Sequence, residues 1–119
     1  MALQTKTHQP YKYLAILDFE SSCEDKEINP RFHPQEIIEV PILLLNTETF
    51  NIDHTFHSYV RPTYHRKLTK FCTKLTGINQ QTVDKAKTFD VVYEEVVAFV
   101  NNITYRHQKW MKHPIHLFL

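Results

Sequence analysis

Length, composition and charge bound what this chain can be. It has 119 residues, 14 Lys and Arg against 13 Asp and Glu, two Cys and a single Gly, which predicts one small domain with one core. Because Gly77 is the only glycine, glycine-rich phosphate-binding loops of the dinucleotide and P-loop kinds are excluded. The two cysteines form no Cys-x-x-Cys pair, which argues against a disulfide scaffold and a structural zinc site.

The sequence carries no signal for export or membrane insertion. Its N-terminus has no apolar run, and no stretch approaches the roughly 20 apolar residues of a membrane span. We therefore expect a cytoplasmic or nuclear protein with no membrane contact. Residues 1–12 are expected to be a flexible N-terminal segment that precedes the folded residues 13–119.

Three strands are predicted in the first half of the chain. Residues 13–17 form a continuous apolar run, typical of a strand buried on both faces at the centre of a sheet. Residues 36–45 and 53–60 predict two more strands, joined as a hairpin by the turn residues 46–49. Pro41 has no backbone N–H to donate, so we expect a bulge or an unpaired stretch in the second strand.

Helical periodicity replaces strand alternation after Arg61-Pro62. A first amphipathic helix is predicted over 68–75 by an apolar stripe at helical spacing, namely Leu68, Phe71, Cys72 and Leu75. It should end at Gly77, which can adopt the left-handed cap. The longest helix is expected to follow Thr88 as N-cap, with Asp90 in its first turn. Its core face comprises Phe89, Val92, Val96, Phe99, Val100 and Ile103.

The last residues, 114–119, predict a fourth strand. Natural domains usually finish in a polar segment or a docked helix, and a terminal apolar strand leaves a hydrophobic edge that needs covering. The sequence therefore leads us to expect that the chain stops before its domain does.

Basic residues are concentrated in one stretch of the chain. Between Thr55 and Val83 there is no acidic residue, and there are five bases, which are Arg61, Arg66, Lys67, Lys70 and Lys74. Such a stretch suits contact with phosphates, because neutralising phosphates releases condensed counterions. A solvated helix face is the alternative interpretation.

Two acidic residues directly follow the first predicted strand. Because side chains alternate along a strand, Asp18 and Glu20 should point to the same side and Phe19 to the other. Paired carboxylates at a strand end suit Mg²⁺, which prefers oxygen ligands and shares its shell with water and substrate phosphate. Two solvated acids at a strand terminus are the alternative.

Four motifs, in order along the chain, resemble one known family. They are Asp18-Phe19-Glu20-Ser21-Ser22-Cys23, the segment 33–41, the segment 56–62, and Phe71-Cys72-Thr73-Lys74-Leu75-Thr76-Gly77-Ile78. From about Tyr13 to Ile103 the chain is similar to the 3′-5′ exoribonucleases that trim histone mRNA, ribosomal RNA and short interfering RNA ends, within the DEDD (DEDDh) exonucleases. The resemblance implies an α/β, RNase H-like fold in truncated form. It would have a three-stranded antiparallel start, then helices, then a last strand.

The resemblance also implies roles for residues of the first and last motifs. Asp18 and Glu20 would be catalytic ligands of two Mg²⁺ or Mn²⁺ ions, with Asp18 bridging both and Glu20 holding the ion that activates water. Phe19 and Ser21 would border the 3′-terminal nucleotide of single-stranded RNA, the expected partner. The remaining substrate-binding residues would be Lys74, Thr76, Gly77 and Ile78. The segment Leu75-Thr76-Gly77-Ile78 would form a wedge against the terminal bases, in which Ile78 packs on a base face and Gly77 permits close approach.

Structural roles are the alternative for several of these residues. Glu36 and Glu39 also match the family, but on a strand they are more typical of structural partners than of ligands. Gly77 could serve as a helix cap alone and Ile78 as a core residue alone. Cys72 lies on the apolar stripe, where packing is the expected role.

The resembling enzymes have two further Asp ligands and a His general base that no residue of this sequence matches. The main hypothesis is therefore a 3′-5′ exoribonuclease, with residues 13–119 forming the N-terminal half of its exonuclease domain. One alternative is a catalytically inactive remnant that binds RNA or a protein partner. Another is a non-functional by-product that folds poorly because its sheet edge is bare.

Overall fold

A mixed sheet with helices packed against it forms the part of the chain described by this computed structural model, residues 10–107 and 116–118. The strands are β1 (Tyr13–Leu17), β2 (Glu20–Ser21), β3 (Ile37–Asn46), β4 (Ile52–Arg61), β5 (Lys87–Thr88) and β6 (His116–Phe118). The helices are α1 (Lys70–Thr76), α2 (Gln80–Asp84) and α3 (Phe89–His107). None of the described helices is long and apolar enough to cross a membrane.

The strand order of the sheet is β5-β4-β3-β1-β6, with the short β2 also paired to β3. The pairs β1–β3 and β3–β4 are antiparallel, which confirms the three-stranded antiparallel start. β6 pairs parallel with β1, and this confirms the last strand. β5, which the sequence did not predict, pairs parallel with the end of β4.

The β3–β4 hairpin confirms the predicted turn at residues 46–49. The side-chain Oδ1 of Asn46 accepts hydrogen bonds from the backbone N–H groups of Glu48 at 2.9 Å and Thr49 at 3.2 Å, an arrangement typical of an Asx turn. On the other edge of β3, pairing with β1 ends at Ile42 and pairing with β2 resumes at Glu39. Pro41 therefore lies in an unpaired stretch on that edge, as predicted.

Buried residues form two clusters rather than one core. The first lies between the sheet and α3 and comprises Tyr13, Ala15, Val40, Ile42, Leu44, Val60, Val92 and Ile103. The second gathers α1, α2 and the start of β3, and comprises Ile38, Leu68, Cys72, Ile78 and Val83. Both clusters draw residues from β3, so this strand connects them.

Three burial predictions are wrong. Ile16 of β1 is 44% exposed and pairs with Leu43, which is 39% exposed, so β1 is buried on one face only, the face that α3 covers. Leu75 is 67% exposed. The buried side of the short helix α1 is formed by Cys72, and Leu75 lies away from it. Phe89 is 48% exposed at the first residue of α3.

Candidate active site

The two predicted metal ligands lie where β1 gives way to β2. β1 ends at Leu17, Asp18 and Phe19 form the connection, and Glu20 opens β2 opposite Glu39 of β3. Asp18 is exposed, Glu20 is half-buried and Phe19 is 39% exposed. The structure therefore places all three at one end of the sheet and open to solvent, as a ligand-binding turn requires.

Glu20 has an acidic neighbour across the sheet. Residues directly opposite in an antiparallel pair have Cβ atoms about 4.5 to 5.5 Å apart, so Glu20 and Glu39 are neighbours across the two strands. Glu39 Oε2 lies 2.8 Å from His57 Nε2 on β4. This contact engages the Glu39 carboxylate within the sheet, which supports the structural interpretation of that residue.

The segment after the carboxylates is held on two sides. Ser22 is buried, its N–H donates to Glu36 O at 2.8 Å, and its Oγ accepts from Glu36 N–H at 2.9 Å. On the other side, Thr69 Oγ1 donates to Cys23 O at 2.6 Å, and Cys72 Sγ to Ser21 O at 3.6 Å. Residues 21–23 are therefore anchored to both β3 and α1, which holds the carboxylate-bearing turn in place.

The two cysteines support this anchor. Cys72 is fully buried, which confirms its packing role. Burial, the neighbouring Cys72 and the acidic groups of Glu20 and Glu24 raise the pKa of the Cys23 thiol to about 11. Because the thiolate is the reactive form of cysteine, this thiol is unsuited to be a nucleophile at neutral pH.

Glu36 is a structural residue, as predicted. Its carboxylate accepts hydrogen bonds from the backbone N–H groups of Thr63, Tyr64 and His65 at 2.9 to 3.1 Å, and from Thr63 Oγ1 at 3.2 Å. Burial alone would raise the pKa of this carboxyl, but the donors outweigh it and hold the pKa below its ordinary value. Glu36 thereby fixes the loop that follows β4.

The predicted substrate wedge lies at the end of α1. Gly77 has φ 76° and its N–H donates to Thr73 O at 2.8 Å, which is the left-handed cap of the helix. Thr76 Oγ1 donates to Cys72 O and accepts from Ile78 N–H. Ile78 is only 4% exposed, so its side chain is a core residue here, and its contact with a base stays a prediction. Lys74 is exposed.

The donor set suits a hard divalent cation. Asp18 and Glu20 offer oxygen ligands at an open turn, and Mg²⁺ binds through one or two carboxylates while keeping water and substrate phosphate in its shell. Among the residues that the structure describes, no group of three or more His, Cys, Asp or Glu side chains is placed to hold a metal ion.

Comparison with known proteins identifies the family. The family model for the exonuclease domain, RNase T, matches residues 15–119, which includes the carboxylate-bearing turn and every described helix. The chain belongs to this exonuclease family. The resemblance inferred from the four motifs is thereby confirmed.

Individual exonuclease relatives agree. "ERI1 exoribonuclease 3" of Bos taurus is 48% identical over 95 residues, which cover 80% of this chain and 27% of that protein. "3′-5′ exoribonuclease 1" of Homo sapiens is 49% identical over 90 residues, covering 76% of this chain and 25% of that protein. The chain thus spans about a quarter of the length of the curated relatives that it matches.

Solved exonuclease structures confirm the RNase H-like fold. The nuclease domain of 3′hExo, a DEDDh family member bound to rAMP, superposes with a TM-score of 0.75 at 41% identity, covering 90% of this chain and 50% of that one. A full-length 3′-exonuclease gives a TM-score of 0.76 at 40% identity, covering 92% of this chain and 34% of that one.

Proposed function

We propose that this chain carries the first-motif part of a 3′-5′ exoribonuclease site, which hydrolyses RNA from its 3′ end by two-metal-ion chemistry. The observation that carries the proposal is that Asp18 and Glu20 lie two positions apart where β1 gives way to β2, on a turn anchored by Ser22 and Cys23. The names of the relatives and the rAMP bound to a related nuclease domain support the same substrate class.

Each residue of the turn has a distinct part in this proposal. Asp18 and Glu20 would hold Mg²⁺ or Mn²⁺, which supplies Lewis-acid stabilisation of the phosphodiester and activates a water when bound. Phe19, partly exposed between them, offers an apolar surface to the terminal nucleotide. The exposed Leu75 and half-buried Thr76 at the end of α1 would limit how far the terminal bases enter.

Cleavage in this proposal also depends on groups that residues 1–119 do not match. The resemblance implies two further Asp ligands and a His general base, and two like-charged carboxylates alone bind a divalent ion weakly. We therefore assign full activity to an exonuclease domain that includes those groups. A second candidate function, RNA binding without cleavage, is favoured by the acid-free stretch between Thr55 and Val83, which carries five basic residues.

Stepwise trimming of a 5′-labelled single-stranded RNA tests the proposal. We expect an exonuclease domain that contains this chain together with those groups to shorten the RNA from its 3′ end, in a reaction that requires Mg²⁺ or Mn²⁺, is abolished by EDTA and falls to background in Asp18→Ala. Glu27→Ala, which removes an exposed acid from the loop after β2, is the matched control and should trim like the unmodified domain. Equal trimming by Asp18→Ala would contradict the proposal, whereas binding of the RNA without trimming would favour the second candidate.

A further inference from the structure

We propose a second nucleic-acid contact, distinct from the carboxylate-bearing turn, in which Arg61 and Arg66 bind phosphodiester groups of single-stranded RNA upstream of its 3′-terminal nucleotide. The inference rests on the proposed function, since it assigns the path of the same substrate. Its location is the cleft between the end of β4 and α2, which we call the arginine cleft.

The arginine cleft is a formed cavity of about 490 Å³, lined by Arg61, Pro62, Thr63, Arg66, Asp84 and Thr88. Both arginine side chains are exposed, and neither forms an ion pair with any residue in the described ranges. Two arginines in the lining of one cavity suit phosphate, because each guanidinium presents a planar fork of N–H donors.

The acid in the cleft does not cancel this charge. Asp84 Oδ1 accepts a hydrogen bond from Gln80 Nε2 at 2.9 Å, and the same amide donates to Arg66 O at 2.8 Å. Gln80 therefore links the side chain of Asp84 to the backbone of Arg66. With two arginines against one aspartate, the lining itself carries a net positive charge. Two further acids contact the lining residues Thr63 and Thr88, and both are engaged in hydrogen bonds, Glu36 with the loop after β4 and Asp90 with Thr88 Oγ1.

Aromatic rings border the same loop. Tyr64 is 69% exposed, and its ring meets the ring of His65 edge-on with centroids 4.8 Å apart. The imidazole of His65 in turn stacks on Phe32 with centroids 4.2 Å apart at 23°. Interleaved basic and aromatic side chains are typical of surfaces that bind single-stranded nucleic acid along its length. On such surfaces the rings stack on bases and the cations contact the phosphate backbone.

The loop is held rigidly and at a suitable distance from the carboxylates. Glu36 fixes the backbone of residues 63–65, and its own backbone is bonded to Ser22. Ser21 pairs with Ile37, and continuing the β3–β4 register places Arg61 opposite Ile37. Two strand spacings separate Arg61 from Ser21, which is about 10 Å. An RNA strand whose 3′ end lies at the carboxylate-bearing turn therefore has its upstream phosphates within reach of the arginine cleft.

Salt-dependent binding tests the inference. The probe is a 5′-fluorescein-labelled oligouridylate of about twelve nucleotides, followed by anisotropy in EDTA between about 50 and 200 mM salt. Losing two phosphate contacts should reduce the slope of log K against log salt by about 1.4 in Arg61→Gln/Arg66→Gln. The affinity at low salt should fall by roughly tenfold or more as a result.

Matched variants make the test specific. Lys12→Gln removes a positive charge at the opposite end of the sheet, beside the start of β1, and should leave affinity and slope unchanged. Tyr64→Ala should weaken binding by roughly tenfold without changing the slope, because stacking is insensitive to salt. All variants should keep the thermal midpoint of the unmodified chain, since Arg61, Tyr64 and Arg66 are exposed and Lys12 is partly exposed.

The outcomes separate this inference from the proposed function. Asp18→Ala should keep the arginine-dependent binding, because that binding needs no metal. Trimming that persists while Arg61→Gln/Arg66→Gln binds RNA like the unmodified chain would overturn the inference alone. Competition by uridine monophosphate as strong as that by the oligomer would also overturn it, since the cleft would then bind a small anion rather than a strand.

Discussion

The carboxylate of Glu36 is the acceptor on which the loop after β4 depends. Glu36→Gln removes its charge and leaves one of its backbone donors poorly satisfied, so we expect a loss of about 1 kcal/mol in the free energy of unfolding at pH 7, discounted for partial exposure. The folded pKa lies below the unfolded one. The stabilisation is therefore complete above the unfolded pKa and is lost as pH falls through the folded pKa.

Urea denaturation at neutral pH and below pH 4 measures this contribution. The unmodified chain should lose more stability on acidification than Glu36→Gln, so the difference between them should shrink at low pH. Glu48→Gln, at the exposed hairpin turn, is the control. A constant difference across the pH range would mean that the charge of Glu36 is not what stabilises the loop.

At the scale of single residues, the sequence predicted the roles of Glu36 and Cys72 but not the residues that they contact. The structural role of Glu36 follows from its place beside a strand, and the packing role of Cys72 from its place on an apolar stripe. The donors to Glu36, however, lie 27 to 29 positions away. Contacts at such separations depend on the fold, and no local pattern encodes them.

The helix α1 joins the candidate site through its N-cap residue, Thr69. Thr69 Oγ1 accepts from Cys72 N–H at 3.0 Å as the N-cap and donates to Cys23 O at 2.6 Å. Thr69→Ala removes both bonds and should cost about 1 to 2 kcal/mol of stability. Thr69→Ser keeps the hydroxyl and should cost much less. Chemical denaturation compares the two, and equal losses would contradict a capping role.

The start of this helix shows where element prediction fails. Leu68 is in phase with Cys72, so periodicity placed the helix at 68, whereas the hydroxyl of Thr69 caps it and Lys70 begins it. The end at Gly77 was predicted correctly, because a left-handed residue is a strong local signal. β5 was missed, since two residues that pair with the distant end of β4 leave no periodicity.

At the scale of the whole molecule, burial depends on which elements meet. Alternation along β1 separates Tyr13 and Ala15 from Leu14 and Ile16, but only the first pair is covered by α3. An apolar run therefore predicts which residues share a face without predicting what covers it. One core was expected because the sequence does not show which region of β3 each helix covers. In the structure α3 lies over the region around Ile42, whereas α1 and α2 lie beside Ile38.

Because β3 contributes to both buried clusters, they should unfold together. Ile38 belongs to the cluster beside α1 and α2, Ile42 to the cluster beneath α3, and both are fully buried. Ile38→Val and Ile42→Val should each cost about 1 kcal/mol, and the surface variant Ile28→Val close to nothing, since Ile28 is 72% exposed. Each core variant should shift one shared unfolding transition, followed by circular dichroism and by hydrogen exchange in α3. If Ile38→Val lowered the stability of α1 while the amides of α3 kept their protection from exchange, the two clusters would be independent. The residues around the arginine cleft could then loosen without unfolding β3, the strand that carries Glu39.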